Sequence, residues 1–432
     1  MISLDYKGFF WEEFDENQKP INPKECQIIF NPKDGGVLRF FIEPDKVKIA
    51  ENIKCMYGQI DQNKKITLYN LKYKASKHNA TQELMMKELE YSVQYIYYRD
   101  WIDTSKSIEI MYVRYSYFEV WLNPLEIHRP TTHNNKTGAG VIVDEYNILN
   151  KDLEYSFNIS YEYTDTLFNN KIVVFEFKKL LSIFKKSNFN LQEMIDLSLV
   201  LKSFFEIITF YSKNNIFIEE IYIPQKGKSI ANSRDDDRTL ILFKQDDYIE
   251  EQEISHIDFL FRYDDVKENF DAILNNWIEN HYKNQNEYQA FCNVIADKSS
   301  EFNIYSHYFQ LISALEGYHT RNFQKDIALR TRLNELIKKS DVKKVLTLNS
   351  KIHKSIANCI YDLRNDIAHS NETIEITERV KSSFEYLKLV ALLIMLKDIS
   401  LNHAQISKNI FDMDIKYMKK KLIESFAKNP RV

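Results

Sequence analysis

Two periodicities of hydrophobic residues divide this 432-residue chain near residue 250. In the first part, apolar and polar residues alternate over short runs, as in Phe157-Asn158-Ile159-Ser160-Tyr161, and a period of two is typical of β-strands. From Asp264 to the end, apolar residues recur every three or four positions, which is typical of amphipathic helices. The pattern predicts an α+β chain in which an all-α bundle follows a β-rich N-terminal domain.

The strand-like runs predict an antiparallel sandwich or barrel-like domain over residues 1–185. They span residues 27–30, 37–42, 55–60, 65–69, 91–98, 108–121, 153–164 and 171–177. Residues 186–255 combine a helix over 191–212 and two short strands with an acidic linker. Residues 256–432 form the predicted helical bundle. Its helices are predicted at 264–282, 287–296, 304–321, 325–339, 350–369, 373–401 and 405–426.

Composition narrows the class of protein. Hydrophobic residues make up 44% of the chain, so a folded protein is expected. The four cysteines form no Cys-x-x-Cys pair, which indicates free thiols in a reducing compartment. The first residues form no apolar secretory segment, and the longest apolar run, residues 389–396, is too short to span a bilayer. We therefore expect a cytoplasmic protein without membrane contact.

The helix predicted over residues 350–369 carries the candidate chemistry. One of its faces holds the apolar residues Ile356, Ile360, Leu363 and Ile367. Asn365 lies opposite that face, Tyr361 and His369 flank Asn365 at i−4 and i+4, and Arg364 lies between the two faces. His369 falls in the last turn, where the helix dipole favours a protonated imidazole. A cation, an amide and an imidazole therefore project from the polar side.

The segment Arg364-Asn365-x-x-x-His369 matches the R-[ND]-x-x-x-H signature, so the chain resembles the HEPN superfamily of helical ribonucleases and toxins. It is similar in particular to the ApeA-like HEPN proteins of bacterial abortive infection, which defend against phage. Three shorter segments support that resemblance. They are Ala314-Leu315-Glu316, Gly8-Phe9-Phe10-Trp11 and the hairpin that contains Gly58-Gln59-Ile60. The resemblance implies a dimeric composite site and RNA products that end in 2′,3′-cyclic phosphates.

RNA cleavage without a metal requires a base for the 2′-hydroxyl, an acid for the leaving 5′-oxygen and a cation for the phosphorane. His369 can act as base or acid, Arg364 can bind the non-bridging oxygens, and Asn365 can orient the phosphate or fix the histidine tautomer. One histidine cannot readily make both proton transfers. We therefore expect a homodimer in which two copies of the helix face each other across a two-fold axis.

Each candidate also has an ordinary structural interpretation. His369 can cap the helix, and Arg364 can form a surface ion pair with Asp362 or another neighbour. Glu316 either pairs with Arg364 or faces solvent, and Tyr361 either stacks on a base or packs at the dimer contact. Asp366 is grouped with Glu316 and Tyr361 as a supporting residue.

Basic residues cluster just before the candidate helix and could bind the phosphates of an RNA, tRNA or another cellular RNA. The candidate RNA-binding residues are Arg330, Arg332, Lys338, Lys339, Lys351 and Lys354. A second cluster consists of Lys416 and Lys419-Lys420-Lys421. The alternative for both clusters is a solvated helix face.

Other chemistries lack their motifs. The chain contains no G-x-x-x-x-G-K-[ST], G-x-S-x-G or H-E-x-x-H segment and no paired zinc ligands, so neither a cofactor nor a metal is expected. The loop over residues 128–140 could hold phosphate or metal, or be an ordinary exposed loop. The acidic residues at 235–237 and 246–253 could bind a cation, or form a solvated linker.

Two functions remain open at this point. One is a metal-independent endoribonuclease toxin, whose β-rich domain either senses a phage-derived trigger or only positions the helical part. The other is a non-catalytic module, in which the helices dimerise or regulate and the β-rich domain binds a ligand.

Overall fold

The computed structural model divides the chain into two compact units. Unit 1 comprises Met1–Glu119, Pro124–Ser198 and Ile216–Glu253, and unit 2 comprises Val120–Asn123, Leu199–Asn215 and Ile254–Val432. The segment 186–255, which the sequence pattern sets apart, is shared between them. The structure describes residues 2–42, 49–60, 63–80, 85–102, 108–122, 140–143, 154–168, 171–209, 215–224, 238–246, 248, 259–296, 304–323, 327–369, 378–401 and 411–427.

The first six strands of unit 1 form a closed antiparallel barrel. They are β1 Leu4–Trp11, β2 Lys24–Asn31, β3 Gly35–Ile42, β4 Asn52–Ile60, β5 Lys64–Ala80 and β6 Met85–Tyr98. Their order is β3-β2-β1-β4-β5-β6, and pairing of β3 with β6 closes the ring. Inward-facing residues such as Phe10, Ile28 and Leu38 are fully buried, as expected where alternate residues face a closed interior.

Strand β6 belongs to two parts of the same sheet. Its first half pairs with β3, and its last four residues pair with β12, from which the sheet continues in the order β12-β11-β7-β10-β9-β8. The remaining strands are β7 Ile108–Tyr115, β8 Gly140–Val143, β9 Tyr155–Phe168, β10 Lys171–Phe189, β11 Ile218–Pro224 and β12 Arg238–Phe243. The predicted C-terminal end of the strand over residues 108–121 is wrong, because residues 118–121 form a short helix. Tyr117, with φ of 63°, ends the extended backbone there.

Gly58 shows why the barrel needs a residue without a side chain. A Cβ added at Gly58 would lie 2.4 Å from the ring of Phe10 on β1. Phe10 is fully buried, so its ring cannot move aside without opening the core. The Gly-x-Ile segment of β4 is therefore explained by packing.

Eleven helices are described. They are α1 Phe118–Trp121, α2 Leu191–Ile208, α3 Tyr263–Val266, α4 Phe270–Lys283, α5 Gln285–Ala296, α6 Ile304–Phe323, α7 Leu329–Lys339, α8 Val342–Leu346, α9 Ser350–His369, α10 Glu378–Asp398 and α11 Phe411–Ala427. Helices α3 to α11 all lie in unit 2. This confirms the predicted fold class, a β-rich part followed by an all-α part.

Helix α10 is the central helix of unit 2. It contacts α4 to α9 and α11, and its residues from Leu389 to Leu396 are all buried. A helix that is apolar on every side is expected at the centre of a bundle. Among the described residues, no helix is long and apolar enough to cross a membrane.

Helix α8 is the one element of the bundle that the periodicity does not predict. It has five residues and is bracketed by Asp341 and Thr347, whose φ angles are 56° and 48°. Left-handed residues at both ends confine the helix to little more than one turn, too short to display a period. The loop at 128–139 and the acidic residues at 235–237 and 249–253 lie outside the described residues.

Candidate active site

Helix α9 begins with a side-chain cap and buries one face. The side-chain oxygen Oδ1 of Asn349 accepts a hydrogen bond from the backbone N–H of Ile352 at 3.0 Å, which satisfies a free donor of the first turn. The buried face is formed by Ile352, Ile356, Ile360 and Leu363. Burying a side chain such as Ile360 contributes roughly 1.5–3 kcal/mol. The helix is therefore held firmly enough to present its polar residues in fixed positions.

Arg364 pairs with Glu316 of helix α6. The Arg364 Nη2 atom lies 3.7 Å from Glu316 Oε1, and the two side chains are 30% and 21% exposed. At this distance the charges attract, but the two atoms are too far apart for a hydrogen bond. An arginine has five N–H donors, so one loose contact leaves the guanidinium able to bind a phosphate as well. The carboxylate orients the cation without neutralising its binding capacity.

A second arginine lies against helix α9 at Tyr361. The guanidinium carbon of Arg330, in α7, lies 6.0 Å from the centre of the Tyr361 ring, and its Nη2 donates a hydrogen bond to Asn358. Tyr361 and Asn365 are both partly exposed, and Asp366 is exposed. The structure thus places Arg330, from the predicted RNA-binding set, one helical turn from the candidate site.

His369 is the last residue of helix α9, as the sequence predicts. Its side chain lies outside the described residues, as do those of Ile367 and Ala368. The role of His369 therefore remains a prediction from the sequence motif. The structure contributes the helix itself, with Arg364 and Asn365 positioned on it.

The predicted RNA-binding residues divide into two groups. Lys338, Lys351 and Lys354 are exposed and available to a ligand. Arg332 is held within its own unit, because its Nε donates to the Ile327 carbonyl at 2.7 Å and its Nη1 donates to Thr320 Oγ1 at 3.0 Å. Lys339 is held by Asp398, as described next. We therefore leave Arg332 and Lys339 out of the proposed RNA contacts.

A polar network inside unit 2 joins four helices at Asp398, the last residue of α10. Tyr288 Oη and Tyr318 Oη donate to Asp398 Oδ2 at 2.9 Å and 2.8 Å, and Lys339 Nζ lies 3.1 Å from Oδ1. Burial raises the pKa of both phenols, and the neighbouring carboxylate raises it further, so both remain donors. Because Tyr318 is two residues from Glu316 on α6, the network fixes the helix that orients Arg364.

Sequence reasoning missed this network. Asp398 lies just past the long apolar run of α10, and an isolated acid at the end of such a run is the one signal that could have indicated it. Its partners come from helices α5, α6 and α7. Nothing in a single sequence brings them together.

Two histidines of the bundle are buried and paired. His319 Nε2 lies 2.9 Å from Glu335 Oε2, and His353 Nδ1 lies 3.0 Å from Tyr386 Oη. Burial, and secondarily the charge of Lys343, lower the pKa of His353 to about 4. His353 is therefore neutral at pH 7 and has no access to a substrate. These two residues belong to the scaffold of the site.

The depressed pKa of His353 predicts an acid sensitivity of the fold. An unfolded histidine titrates near pH 6.5. Between pH 6.5 and 4, His353 is therefore protonated in the unfolded chain and neutral in the folded chain. The contribution of His353 to the free energy of unfolding should be fully present above pH 6.5. It should fall by up to about 3 kcal/mol as the pH approaches 4. Denaturant unfolding of the wild type and His353→Gln at several pH values measures this loss.

The variant isolates the contribution of His353 from other groups. Burial also lowers the pKa of His281, so part of the acid sensitivity should persist in the variant. His353→Gln should have a flatter dependence of unfolding free energy on pH than the wild type. Parallel profiles would contradict the assignment.

The fold and the candidate site define a class of protein. It has a β-rich unit followed by a helical unit, and helix α9 of that helical unit carries Arg-Asn-x-x-x-His. Residues 5–277, more than half of the chain, match the family described as ApeA N-terminal domain 1. The chain therefore belongs to this family and is an ApeA-like anti-phage protein. That part of the resemblance is confirmed, whereas the HEPN assignment of the helical part stays a prediction. No curated protein and no solved structure matches the chain.

Proposed function

We propose that this protein is a metal-independent endoribonuclease that cleaves tRNA or another cellular RNA during anti-phage abortive infection. The observation that carries the proposal is Arg364, a partly exposed cation fixed by Glu316 on the helix that ends at His369. Membership of the ApeA family supports the biological setting.

Each residue of the motif has a separate role in the proposed reaction. The Arg364 guanidinium binds the non-bridging phosphate oxygens and stabilises the charge that develops on the phosphorane. A histidine removes the 2′-hydroxyl proton, and that oxygen attacks phosphorus as the 5′-oxygen leaves with a proton from an acid. Asn365 orients the phosphate beside Arg364. The products are a 2′,3′-cyclic phosphate and a 5′-hydroxyl.

The need for two proton-transfer groups in this reaction supports a dimeric site. Each chain has one histidine in the motif, so a second copy of α9 would supply the second group. A groove between α5 and α6, lined by Asn286, Ala290, Phe309, Ser313 and Ala314, runs along the same helix as Glu316. Phe309 is 39% exposed there. The groove also contains the polar side chains of Glu287 and Gln310. Its small residues and the exposed Phe309 suit close packing of a second helix pair, and this groove is our proposed dimer face.

Sequencing of RNA ends in cells tests the proposed function. Infected cells that express the wild type should accumulate new 5′-hydroxyl ends and matching 2′,3′-cyclic phosphate ends at specific sites, and uninfected cells are the comparison. Cells that express His369→Ala should not, because the proton-transfer group is absent. Infected cells are included because the activity is proposed to be silent until a phage component is present.

The control is the amount and assembly of the protein. His369→Ala should accumulate to the wild-type level and elute at the same size, since alanine favours the helical conformation that His369 adopts. If the variant generates the same ends as the wild type, the nuclease proposal is wrong. Unchanged RNA in both, even during infection, would favour the non-catalytic module.

A further inference from the structure

Helices α8 and α11 bring together two groups of lysines that are far apart in sequence. The two helices are in contact, and Lys419 Nζ in α11 donates to Thr347 Oγ1 at the end of α8 at 2.5 Å. The exposed lysines beside this contact, with two from the start of α9, are Lys343, Lys344, Lys351, Lys354, Lys416 and Lys420. We call these six lysines and Tyr417 the basic surface.

The packing of each helix fixes the lysines on the outside. Helix α11 buries Ile415, Met418, Leu422 and Phe426, whose spacing of three and four residues defines its inner face. Lys416 and Lys420 lie one turn apart on the outer face. Helix α8 likewise buries Val342 and Leu346, which leaves Lys343 and Lys344 outside. The cations are therefore held on packed helices.

Helix α9 joins the basic surface to the candidate active site. Lys343 is close enough to His353 for its charge to help lower the pKa of that imidazole. His353 lies between Lys351 and Lys354 in the first turns of α9, and α11 also contacts α9. The lysines of α8 and α9 therefore lie on helices that both contact α11, and α9 is the helix that ends in the motif.

Lysines outnumber acids on α8, α9 and α11 taken together. Asp341 pairs with Lys344 at 3.1 Å and with Lys397 at 2.8 Å. In α11 three acids, Asp412, Asp414 and Glu424, accompany the four lysines at positions 416–421, and Asp412 and Glu424 lie four residues from Lys416 and Lys420. A concentration of like charge on adjacent helices repels itself, so a polyanion that neutralises it is bound favourably.

Tyr417 adds an aromatic face to the surface. It is 63% exposed, and Lys421 Nζ lies 5.7 Å from the centre of its ring. Exposed aromatic rings among cations stack on nucleic-acid bases, and stacking tolerates any base sequence. A membrane surface would instead need a broad apolar face on α11, but Ile415, Met418, Leu422 and Phe426 are buried in the unit and Ile423, 38% exposed, is a single apolar side chain outside.

We infer that the basic surface is a docking site for RNA, with lysines on the backbone phosphates and Tyr417 stacked on an unpaired base. The inference rests on the proposed ribonuclease function and identifies how the same helical unit holds its substrate. Docking here places an RNA along α9. It contributes affinity without sequence preference, and the motif end of the helix performs the cleavage.

Equilibrium binding in the full-length His369→Ala protein tests the docking, and a 2′-O-methylated form of the short probe, which has no 2′-hydroxyl to attack phosphorus, keeps the measurement valid even if this variant cleaves RNA. A fluorescein-labelled single-stranded 20-nucleotide RNA and total tRNA are the probes, each measured over a series of KCl concentrations. Lys416→Gln/Lys420→Gln should lower the slope of log Kd against log salt by about 1.4, or about 0.7 for each lost phosphate contact. At 150 mM KCl we expect Kd to rise at least about tenfold.

A matched pair of lysines provides the control. Lys267 and Lys283 are also exposed in unit 2 and lie outside the basic surface. Lys267→Gln/Lys283→Gln removes the same charge and should leave the salt slope within experimental error. An equal loss in both pairs would show general attraction to net charge and would overturn the docking site.

Tyr417 is tested separately from charge. Tyr417→Ala should weaken binding of the single-stranded RNA about tenfold, and Tyr417→Phe should retain wild-type affinity, because the ring does the stacking. If Tyr417→Ala and Lys416→Gln/Lys420→Gln each bind RNA with wild-type affinity, the inference is overturned. Stronger binding to vesicles of 30% phosphatidylserine than to RNA also overturns it, as does stronger binding to polyglutamate.

Failure of the docking inference is distinguishable from failure of the nuclease proposal. If the lysine and tyrosine variants bind RNA normally while His369→Ala abolishes cleavage, the active-site assignment is supported and the docking site is overturned. If these variants lose RNA affinity while His369→Ala cleaves like the wild type, the docking site stands and the active-site assignment falls.

Discussion

Heterodimers of one wild-type and one His369→Ala subunit should cleave RNA about 10²- to 10⁴-fold more slowly than the wild type, because the composite site needs one histidine from each subunit. Without the second histidine the site lacks either its base or its acid. Homodimers of Arg364→Ala should lose a similar factor, the usual contribution of a phosphate-binding cation.

The heterodimer is made by co-expression of the two subunits with different affinity tags and tandem purification. Cleavage of labelled tRNA is measured with and without extract of phage-infected cells, so that a missing trigger does not hide the activity. About half of the wild-type rate in the heterodimer would instead show that each chain cleaves RNA with its own histidine alone. Asp362→Ala is the matched control, because Asp362 is exposed on the same helix and has no proposed role.

Arg364→Lys adds information on the role of the cation. A lysine keeps the positive charge but lacks the planar fork that contacts two phosphate oxygens at once. If Arg364 binds the phosphorane in this way, Arg364→Lys should resemble Arg364→Ala. If Arg364 only forms a surface ion pair with Glu316, the lysine variant should cleave RNA like the wild type.

Asp398→Ala should cause the largest loss of stability, about 3–5 kcal/mol, because it leaves the Lys339 ammonium and two tyrosine hydroxyls without their acceptor in a buried place. The side chain of Asp398 is only 11% exposed, and Lys339 is 26% exposed. Water cannot fully replace the lost carboxylate. Denaturant unfolding followed by circular dichroism at 222 nm, where helices dominate, measures the change.

Asp341 supplies the matched control. Its carboxylate is also held by two lysines, Lys344 and Lys397, but it lies nearer the surface, with a side chain 33% exposed. Asp341→Asn keeps a residue that tolerates its left-handed backbone, and it should cost no more than about 1 kcal/mol. Equal losses at positions 341 and 398 would mean that burial is not the reason for the importance of Asp398.

A second substitution separates the ion pair from the hydrogen bonds. Lys339→Met removes the buried cation and keeps an apolar stem of similar length. The double variant Asp398→Asn/Lys339→Met should be more stable than the sum of its single variants predicts, because neither charge is then left alone. Strict additivity would show that the two side chains do not interact.

The comparison of sequence with structure shows where each is informative. Period and burial agree for helix α9, because Ile356, Ile360 and Leu363 pack inward as their spacing requires. Strands β2 to β6 of the barrel follow from alternation and turns, whereas the sequence pattern did not predict β1, Leu4–Trp11. The pairing of β3 with β6 that closes the ring does not, because residues about 50 positions apart leave no local signal.

The sequence by itself determined the fold class, the helix that carries Arg364 and the absence of motifs for other chemistries, because periodicity and motifs are local properties of a chain. The tertiary structure decided which of the many charges are available. It placed Lys339 in a buried ion pair and left Lys416 and Lys420 outside, although all three look alike in the sequence. The physical reason is that the accessibility of a charge depends on which distant helices pack around it, and packing is decided by the whole fold.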